Sequence, residues 1–402
     1  MKKLFTLVAS VLMSLSSMAT ETILISEPIT LSNWKETSVF TMTSDQVHVG
    51  DFLKISIASS PSGGQVLVKK ADYSDILPGD ISPVGVKAVY YQITDELLAE
   101  LTGSGLRLQG NKDVEVSSVS LVTQDEFNKV VAYQGPGTID AAWGSVTVNK
   151  ANFNIVKDGD IVVVDNTNNC ESKKGENVLF KKNGYEDAAS IYNLLSPWCI
   201  TMTDDLAAGY FGKEDNHVQA GKAGVVVNSL VIYRLKSNVP SNIVTLTDEP
   251  VKLDNFSGSV VVNIPASSFA DAQLGDEIHF ALTDVDNSKS YSAQVKMVTN
   301  ADGWPLLNSN VDALNVSYIP EFVYLIKDEA TLNTLKATGL IVQGTGATIS
   351  SVKLYTSTPT AISQISSKPS QSENAVYNLA GQQVGKSYKG IVIKNGKKYV
   401  QK

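Results

Sequence analysis

Apolar and polar positions alternate along much of the chain, which predicts many short β-strands. In the segments 114–121 and 347–354, side chains of the two kinds alternate and place one face inward and one face toward solvent. Helices are expected only as short pieces beginning near Thr94, Thr203 and Lys327, where acidic residues occupy the first turn. The pattern therefore predicts an all-β protein with a few short helices.

Two motifs recur in the same order three times. Gly-Asp turns at Gly50, Gly159 and Gly275 precede apolar strands and lie 109 and 116 residues apart. A later Gly-Leu-x-x-Gln-Gly motif occupies 105–110 and 339–344, and the middle copy retains only a degenerate form at 218–221. Units of about 100–115 residues with this pattern have the size of antiparallel β-sandwiches. The single helix and the late glycine-rich strand pair favour a jelly roll over an immunoglobulin-like fold.

The predicted fold class is all-β, with three tandem β-sandwich (jelly-roll) domains plus a small C-terminal β domain. A basic start, an apolar run and small residues before position 20 are typical of a cleaved signal peptide. The segment 358–372 has the Ser, Thr, Pro and Gln composition of a linker. The predicted divisions are a signal peptide (1–19), three modules (20–128, 129–239 and 240–357), the linker (358–372) and a C-terminal domain (373–402).

Charge and composition exclude several classes of function. Acidic residues outnumber basic ones by 41 to 33, and only Arg107 and Arg234 are arginines, which argues against a nucleic-acid partner. Three histidines and two cysteines are too few for a zinc or iron–sulfur site of standard spacing. After the signal segment, no apolar run is long enough for a transmembrane segment. No cofactor is therefore expected.

Two smaller features leave alternatives open. Cys170 and Cys199 both fall in the middle unit, where an exported protein could join them as a disulfide or keep them as two buried thiols. The oxygen-rich segments 165–169 and 284–287 could bind structural calcium or could be ordinary polar loops, and neither has EF-hand spacing.

Aromatic residues recur at two positions relative to the Gly-Asp turns. One set comprises Trp34 and Trp143, each 16 residues before the turn glycine, and Phe256, 19 residues before it. The other set comprises Tyr73, Tyr185 and Trp304, at 23, 26 and 29 residues after it. Flat aromatic faces bind the apolar face of a sugar ring, so these six residues are candidate carbohydrate-binding platforms. The alternative is that they fill the ends of each sandwich core, since core positions recur as well.

Catalysis is the competing class of function. A glycosidase needs two carboxylates facing one cleft, but the aligned Asp51, Asp160 and Asp276 follow turn glycines and are expected to accept hydrogen bonds from the turn backbone. Asp95 and Glu96 fall at a helix start, where their interaction with the helix dipole suffices. No Gly-x-Ser-x-Gly motif is present. We therefore predict no catalytic residues and no enzyme activity.

The repeated pattern resembles the jelly-roll carbohydrate-binding modules that are fused to polysaccharide-degrading enzymes of Bacteroidetes. The resemblance covers residues 21–356 as three copies. The tail, with Val376-Tyr377-Asn378-Leu379-Ala380-Gly381 and a later Lys389-Gly390-Ile391-Val392, resembles the C-terminal sorting domain of the type IX secretion system, although Val392 stands where an aromatic is common. From the residues alone, the tail predicts a lysine-edged hairpin with a turn at Asn395-Gly396.

Together these resemblances imply a non-catalytic polysaccharide-binding protein for plant-type β-glycans, secreted or displayed on the cell surface through the outer membrane. Its expected partners are a polysaccharide and the type IX secretion machinery. The alternative is a structural or adhesive cell-surface protein with sandwich stalk repeats, and a glycoside hydrolase is a third possibility.

Overall fold

The chain folds mainly as antiparallel β-sheets. The computed structural model describes residues 21–76, 85–169, 178–181, 187–191, 196–207, 215–256, 260–307, 313–357, 376–378, 385, 389–394 and 397–401. Within these ranges strands predominate and helices are few, which confirms the predicted all-β class. None of the helices found there is long and apolar enough to cross a membrane. The predicted signal peptide and linker lie outside the described residues.

The first sandwich, module 1, packs a five-stranded sheet against a three-stranded one. Its elements are β1 (Glu21–Ile25), β2 (Ile29–Leu31), β3 (Lys35–Glu36), β4 (Phe52–Ser59), β5 (Gln65–Lys70), β6 (Ala88–Gln92), α1 (Asp95–Thr102), β7 (Leu106–Asn111) and β8 (Val114–Val122). The sheet orders are β1-β8-β4-β6, with β2 also on β8, and β3-β7-β5. Leu53 and Val119 from one sheet meet Val68 and Leu108 from the other in a single core.

Module 2 has two four-stranded sheets. Its elements are β9 (Phe127–Ile139), β10 (Ser145–Val148), β11 (Ile161–Asn168), β12 (Val178–Lys181), β13 (Asp187–Ile191), β14 (Trp198–Thr201), α2 (Asp204–Leu206), β15 (Asn216–Ala220) and β16 (Val225–Leu235). Sheet order is β14-β11-β16-β9 opposite β10-β15-β12-β13, so the first strand pairs with the last. Eight strands in two such sheets form the predicted jelly roll.

Module 3 differs because one long strand serves both halves of the sandwich. Its elements are β17 (Asn242–Thr247), β18 (Val251–Asn255), β19 (Val262–Ile264), β20 (Glu277–Thr283), β21 (Gln294–Thr299), β22 (Leu314–Asn315), β23 (Glu321–Leu325), α3 (Glu329–Thr338) and β24 (Leu340–Thr356). The first part of β24 pairs with β18, β19 and β21, and its second part pairs with β17 and β20. β24 thus corresponds to β7 and β8 of module 1 without the intervening turn.

The three Gly-Asp turns have the same hydrogen bonds. The turn glycines have φ between 87° and 96°, a left-handed conformation that favours glycine. Asp51, Asp160 and Asp276 are buried, and each carboxylate accepts the backbone N–H of the residue three positions earlier at 2.8–2.9 Å. The other oxygen accepts a backbone N–H just beyond the last strand, or at its end in module 2. The prediction that these aspartates cap turn backbone is confirmed.

The predicted helix starts are also confirmed. Thr94 and Thr203 accept the backbone N–H groups of Leu97 and Leu206 through their side-chain oxygens, both at 3.2 Å. In α3, Asp328 takes the same role for the N–H of Thr331 at 2.8 Å. Each cap satisfies one backbone donor that the first helical turn leaves free.

Modules 1 and 2 share a small apolar core of their own. Phe52 of module 1 contacts Phe127 and Tyr233 of module 2, with ring centroids 5.2 and 4.9 Å apart. Gln92 donates to the Tyr233 hydroxyl at 3.0 Å. Cys199 is buried in the same cluster, so this junction is closed to solvent.

Modules 2 and 3 meet through buried polar groups. Arg234 of module 2 and Glu277 of module 3 form a bidentate ion pair, with both distances 2.8 Å and both side chains inaccessible to solvent. Asn152 bonds module 3 through both ends of its amide, donating to the Glu321 carbonyl at 2.8 Å and accepting the Val323 N–H at 3.0 Å. Both junctions are therefore specific contacts rather than flexible connections.

Chain contacts divide the molecule into two compact units, one ending at Ser357 and the other beginning at Thr358. All three modules belong to the first unit, and whether each folds independently, as the predicted domain boundaries imply, stays a prediction. In the second unit, β25 (Val376–Asn378), β26 (Gly390–Lys394) and β27 (Lys397–Gln401) form an antiparallel sheet. The predicted β character of the tail is confirmed.

Candidate functional site

The candidate aromatic residues lie at the surface. Trp34 is 46% exposed, Tyr73 54%, Trp143 57%, Phe256 39% and Trp304 37%. Since a side chain that fills a core is nearly inaccessible to solvent, the alternative in which these five rings plug the sandwiches is wrong. Tyr185 lies outside the described residues.

Four of the five exposed rings stand on left-handed backbone. The φ angles are 64° at Trp34, 73° at Tyr73, 60° at Trp143 and 46° at Trp304. For an L-residue with a bulky side chain this conformation is a marked outlier and costs about 1–2 kcal/mol. Glycine would adopt it freely, so folding alone gives no reason for a large aromatic at these positions.

Tight turns closed by the same hydrogen bond present Trp34 and Trp143, although Asn33 is also left-handed, at φ 49°, and Ala142 is not. The residue after each tryptophan donates its N–H to the carbonyl of the residue two positions before the tryptophan, at 2.8 and 2.9 Å. Each turn leads into an outer strand, β3 or β10, that pairs with an inner strand of its sheet, β7 or β15. The first aromatic of modules 1 and 2 therefore stands at the same place in the repeat, before the outer strand of the sheet.

A glutamine side chain fixes each of these turns. Gln109 donates from Nε2 to the Trp34 carbonyl at 3.0 Å, and Gln219 donates to the Trp143 carbonyl at 2.8 Å. Gln109 is the glutamine of the Gly-Leu-x-x-Gln-Gly motif, and Gln219 is its counterpart in the degenerate copy. The middle module has thus kept the motif residue that holds the aromatic, although it has lost the flanking glycines.

In module 1 the two candidate rings lie at opposite ends of one sheet face. Tyr73 follows β5 at the Leu106 end of β7, whereas Trp34 lies at the Gly110 end. Between them, Arg107 and Gln109 are partly exposed while the alternate β7 residues are buried. The Arg107 guanidinium lies over the Tyr73 ring, 4.0 Å from its centroid, and donates to the Ala71 carbonyl at 2.8 Å. The face combines two rings with a cation and an amide between them.

In module 2 His217 takes the place of Arg107, two residues before the glutamine. Its Nδ1 lies 3.4 Å from the Thr147 hydroxyl. Burial lowers the pKa of His217 below its ordinary value, although Asp215 acts in the opposite direction. The imidazole is therefore neutral at pH 7 and can donate one hydrogen bond and accept another.

In module 3, the surroundings of Phe256 and Trp304 differ from those of the rings in modules 1 and 2. Phe256 directly follows β18, whose last residue, Asn255, pairs with Gly344. Trp304 lies in the loop after β21, where its N–H donates to the Ala301 carbonyl at 3.0 Å, as the Tyr73 N–H does to the Lys70 carbonyl. The residue equivalent to Arg107 is Ile341, which is buried. Module 3 therefore has no exposed polar side chain at the position of Arg107 and His217.

The cysteines and the oxygen-rich loops of the predicted disulfide and calcium sites have the following surroundings. Cys170 lies outside the described residues, and burial raises the pKa of the Cys199 thiol to about 12, which makes it unreactive as a thiol. Among the residues that the structure describes, no group of three His, Cys, Asp or Glu side chains is arranged to hold a metal. Oxygens of Asp284, Asp286 and Asn287 accept hydrogen bonds from neighbouring protein groups. The disulfide and the structural calcium stay predictions.

Sequence reasoning missed the polar residues of these faces. In the sequence, Gln109 stands out only as part of a repeat and Arg107 only as one of two arginines, and nothing distinguishes His217 from the other two histidines. The available signal was the position of Arg107 and His217 two residues before a recurring glutamine, because such residues share one face of a strand.

Comparisons with known proteins give weak similarities. No protein-family model matches the chain, and no curated protein matches it. Among solved structures, it is similar to SGBP-B of the Bacteroides ovatus mixed-linkage glucan utilization locus in complex with a mixed-linkage heptasaccharide, at 13% identity and a TM-score of 0.25 over 77% of this chain and 75% of that one. It is also similar to the triple jelly roll of an archaeal virus turret assembly, at 9% identity and a TM-score of 0.16 over 83% and 92%. Scores of this size carry no argument about function, which must come from the chain's own residues.

Proposed function

We propose that this protein is a non-catalytic polysaccharide-binding protein whose three modules each present aromatic platforms to a plant-type β-glycan. One observation carries the proposal: large aromatic side chains are exposed on left-handed turns at repeated positions, and in modules 1 and 2 a glutamine amide holds the turn. Such rings contribute little to a core and cost backbone energy. Binding of a flat, partly apolar ligand would explain why aromatic residues stand at these positions.

The chemistry around the rings suits a sugar chain. Aromatic faces cover the C–H face of a pyranose, and the amide of Gln109, the guanidinium of Arg107 and the imidazole of His217 lie where hydroxyl groups at the rim could be hydrogen-bonded. Three linked faces would add avidity on a repeating polymer, because a second contact becomes intramolecular once the first is made.

The proposal includes the cellular setting. A signal peptide at 1–19 would export the chain, and a tail that resembles a type IX sorting domain would direct it to the cell surface or release it. The small antiparallel sheet of β25, β26 and β27 is compatible with such a tail. Detection of the mature chain in outer-membrane or culture-medium fractions, lost on deletion of 373–402, is the corresponding test.

Affinity electrophoresis tests the binding function. The mature chain is run in native gels containing plant glucans, mannans or xylans, and we expect retarded migration on at least one polymer. The variants Trp34→Ala, Trp143→Ala and Trp304→Ala should each recover part of the free mobility, and the triple variant most of it. Tyr399→Ala removes a comparably exposed ring from the second unit and should change nothing. Unretarded migration of the wild-type chain on every polymer would refute the proposal.

Two other functions are tested by the same material. Release of reducing sugar from a bound polymer would show a glycoside hydrolase and contradict the non-catalytic assignment. The buried junctions between modules also favour a rigid structural or adhesive surface protein as a second candidate, since such a protein needs a stiff stalk. That candidate predicts a chain that binds no polysaccharide yet keeps its unfolding cooperative across all three modules.

A further inference from the structure

Tyr291, which does not stand at a repeated position, shares the exposure, left-handed backbone and glutamine bond of Trp34 and Trp143. Its φ angle is 67°, and its side chain is 53% exposed. Its carbonyl accepts a hydrogen bond from the Nε2 of Gln294 at 2.8 Å, just as Gln109 and Gln219 bond the carbonyls of Trp34 and Trp143. Tyr291 is thus a third aromatic that stands on left-handed backbone and is held by a glutamine amide.

The position of Tyr291 links it to the face of module 2. Although it belongs to module 3, its hydroxyl donates to the carboxylate of Asp215 in module 2. Asp215 immediately precedes β15, and residues 215, 217 and 219 share one side of the chain, opposite Asn216 and Val218. On this side Asp215 and His217 are partly exposed, whereas Gln219 is 8% exposed. The opposite end of β15 lies at Trp143, whose N–H donates to the Ala220 carbonyl at 2.8 Å.

This arrangement repeats that of module 1 across a module boundary. There, Trp34 lies at one end of the middle strand and Tyr73 at the other, with Gln109 and Arg107 between. In module 2, Trp143 and Tyr291 lie at the corresponding ends of β15, with Gln219 and His217 between. The stretch from Asp215 to Gln219 covers about 14 Å of extended chain, enough for more than one ring of an oligosaccharide.

We propose that Tyr291 is an aromatic platform of the module 2 face, so that a pyranose chain stacked on Trp143 runs over Gln219 and His217 and continues onto module 3. The inference rests on the proposed function and adds to it a binding residue and the direction of the bound chain. Asp215 fixes the ring: its hydrogen bond is the main cause of the rise in the Tyr291 pKa to about 12, so the phenol stays protonated and bonded at neutral pH.

Substitutions at Tyr291 can distinguish a sugar-binding role of its ring from a structural role of its hydroxyl. If the ring binds sugar, Tyr291→Phe keeps the platform and should bind within about threefold of the wild type, whereas Tyr291→Gly removes it and should bind about tenfold more weakly. Glycine suits the left-handed backbone, so this variant is expected to fold. If Tyr291 only ties module 3 to module 2 through Asp215, Phe and Gly should have the same effect.

The experiment is isothermal titration of the full mature chain with oligosaccharides cut from the polymer that retards it in gels. Trp34, Tyr73, Phe256 and Trp304 are replaced by alanine in every protein, so that the platforms of modules 1 and 3 are removed and the module 2 face is measured. Thermal melts confirm folding. A loss with Tyr291→Gly and Trp143→Ala, together with retained affinity in Tyr291→Phe and Tyr399→Ala, is the expected result.

The failures are distinguishable. Unchanged affinity in Tyr291→Gly while Trp143→Ala loses binding would overturn the role of Tyr291 and leave the proposed function intact. Equal losses in Tyr291→Phe and Tyr291→Gly would assign Tyr291 to the junction and also overturn it. Absence of binding by the wild-type chain to every polymer would remove the proposed function and this inference with it.

Discussion

Because Trp143 stands on left-handed backbone, two substitutions there should have the same effect on glycan affinity but different effects on stability. Trp143→Ala and Trp143→Gly remove the same ring, so both should lose the same affinity for glycan. They differ in the backbone at φ 60°. Alanine still bears the left-handed cost of about 1–2 kcal/mol, and glycine does not. Against this, the greater freedom of glycine in the unfolded chain costs about 0.4–1 kcal/mol.

The difference favours glycine over alanine by about 1 kcal/mol, or a melting temperature roughly 2–4 °C higher. Ile243 is a suitable control because its side chain is 52% exposed, it lies in β17 and it has ordinary backbone. There the order should reverse, since glycine within a strand is about 0.5–1 kcal/mol less stable than alanine. Differential scanning calorimetry of the four variants measures both orders.

Two outcomes would refute the reasoning. If Trp143→Ala melts at or above Trp143→Gly, the left-handed turn does not persist in solution, and the platform is not held as described. If both variants bind glycan as tightly as the wild type, the strain at Trp143 serves another purpose.

The module 2–3 junction gives three further predictions. Glu277→Gln removes the bidentate charge partner of the buried Arg234 and leaves it only the Asp160 carboxylate, 3.9 Å from its Nε. The substitution should cost about 3–5 kcal/mol in unfolding experiments, and an unchanged melting temperature would contradict the importance of this ion pair. Burial acts to lower the pKa of His279, but hydrogen bonds to Glu277 and Glu321 outweigh it and raise the pKa above its ordinary 6.5. The stabilisation is therefore complete below pH 6.5 and is lost as the pH rises through the raised pKa; His279→Gln should remove this dependence from melts recorded between pH 5.5 and 9. Asp160→Ala leaves two backbone N–H groups without their acceptor and should cost about 2 kcal/mol or more by urea titration.

Much of the scaffold was predictable because local chemistry determines it. The Gly-Asp repeat at Gly50, Gly159 and Gly275 could be recognised because the turn needs a glycine with positive φ, followed by an aspartate that caps the same turn. Cap residues such as Thr94 and Asp328 located the helices for the same reason. These signals depend on neighbours within a few residues, so they can be recognised in one sequence without a structure.

The residues that make up the binding faces were harder to predict from the sequence. Exposure of Trp34 and Trp143 depends on left-handed backbone at the tryptophan itself, which the residue type does not predict, although Asn33 favours a left-handed turn before Trp34. The bonds from Gln109 and Gln219 join positions 75 and 76 residues apart. Tyr291 joins its face only through a module boundary, which no repeat alignment reveals because alignment treats each unit by itself.

The residue two positions before the glutamine explains how one scaffold can present different faces. Period-two alternation points it outward beside the motif glutamine in β7 and β15, where Arg107 supplies a fixed positive charge and His217 supplies a neutral donor and acceptor. In β24 the equivalent Ile341 supplies neither and is buried. Because the backbone, the Gly-Asp turn and the jelly roll are indifferent to this side chain, it can vary without loss of fold. Three copies of one sandwich therefore need not be three copies of one binding site, and ligand preference is expected to differ most at this position.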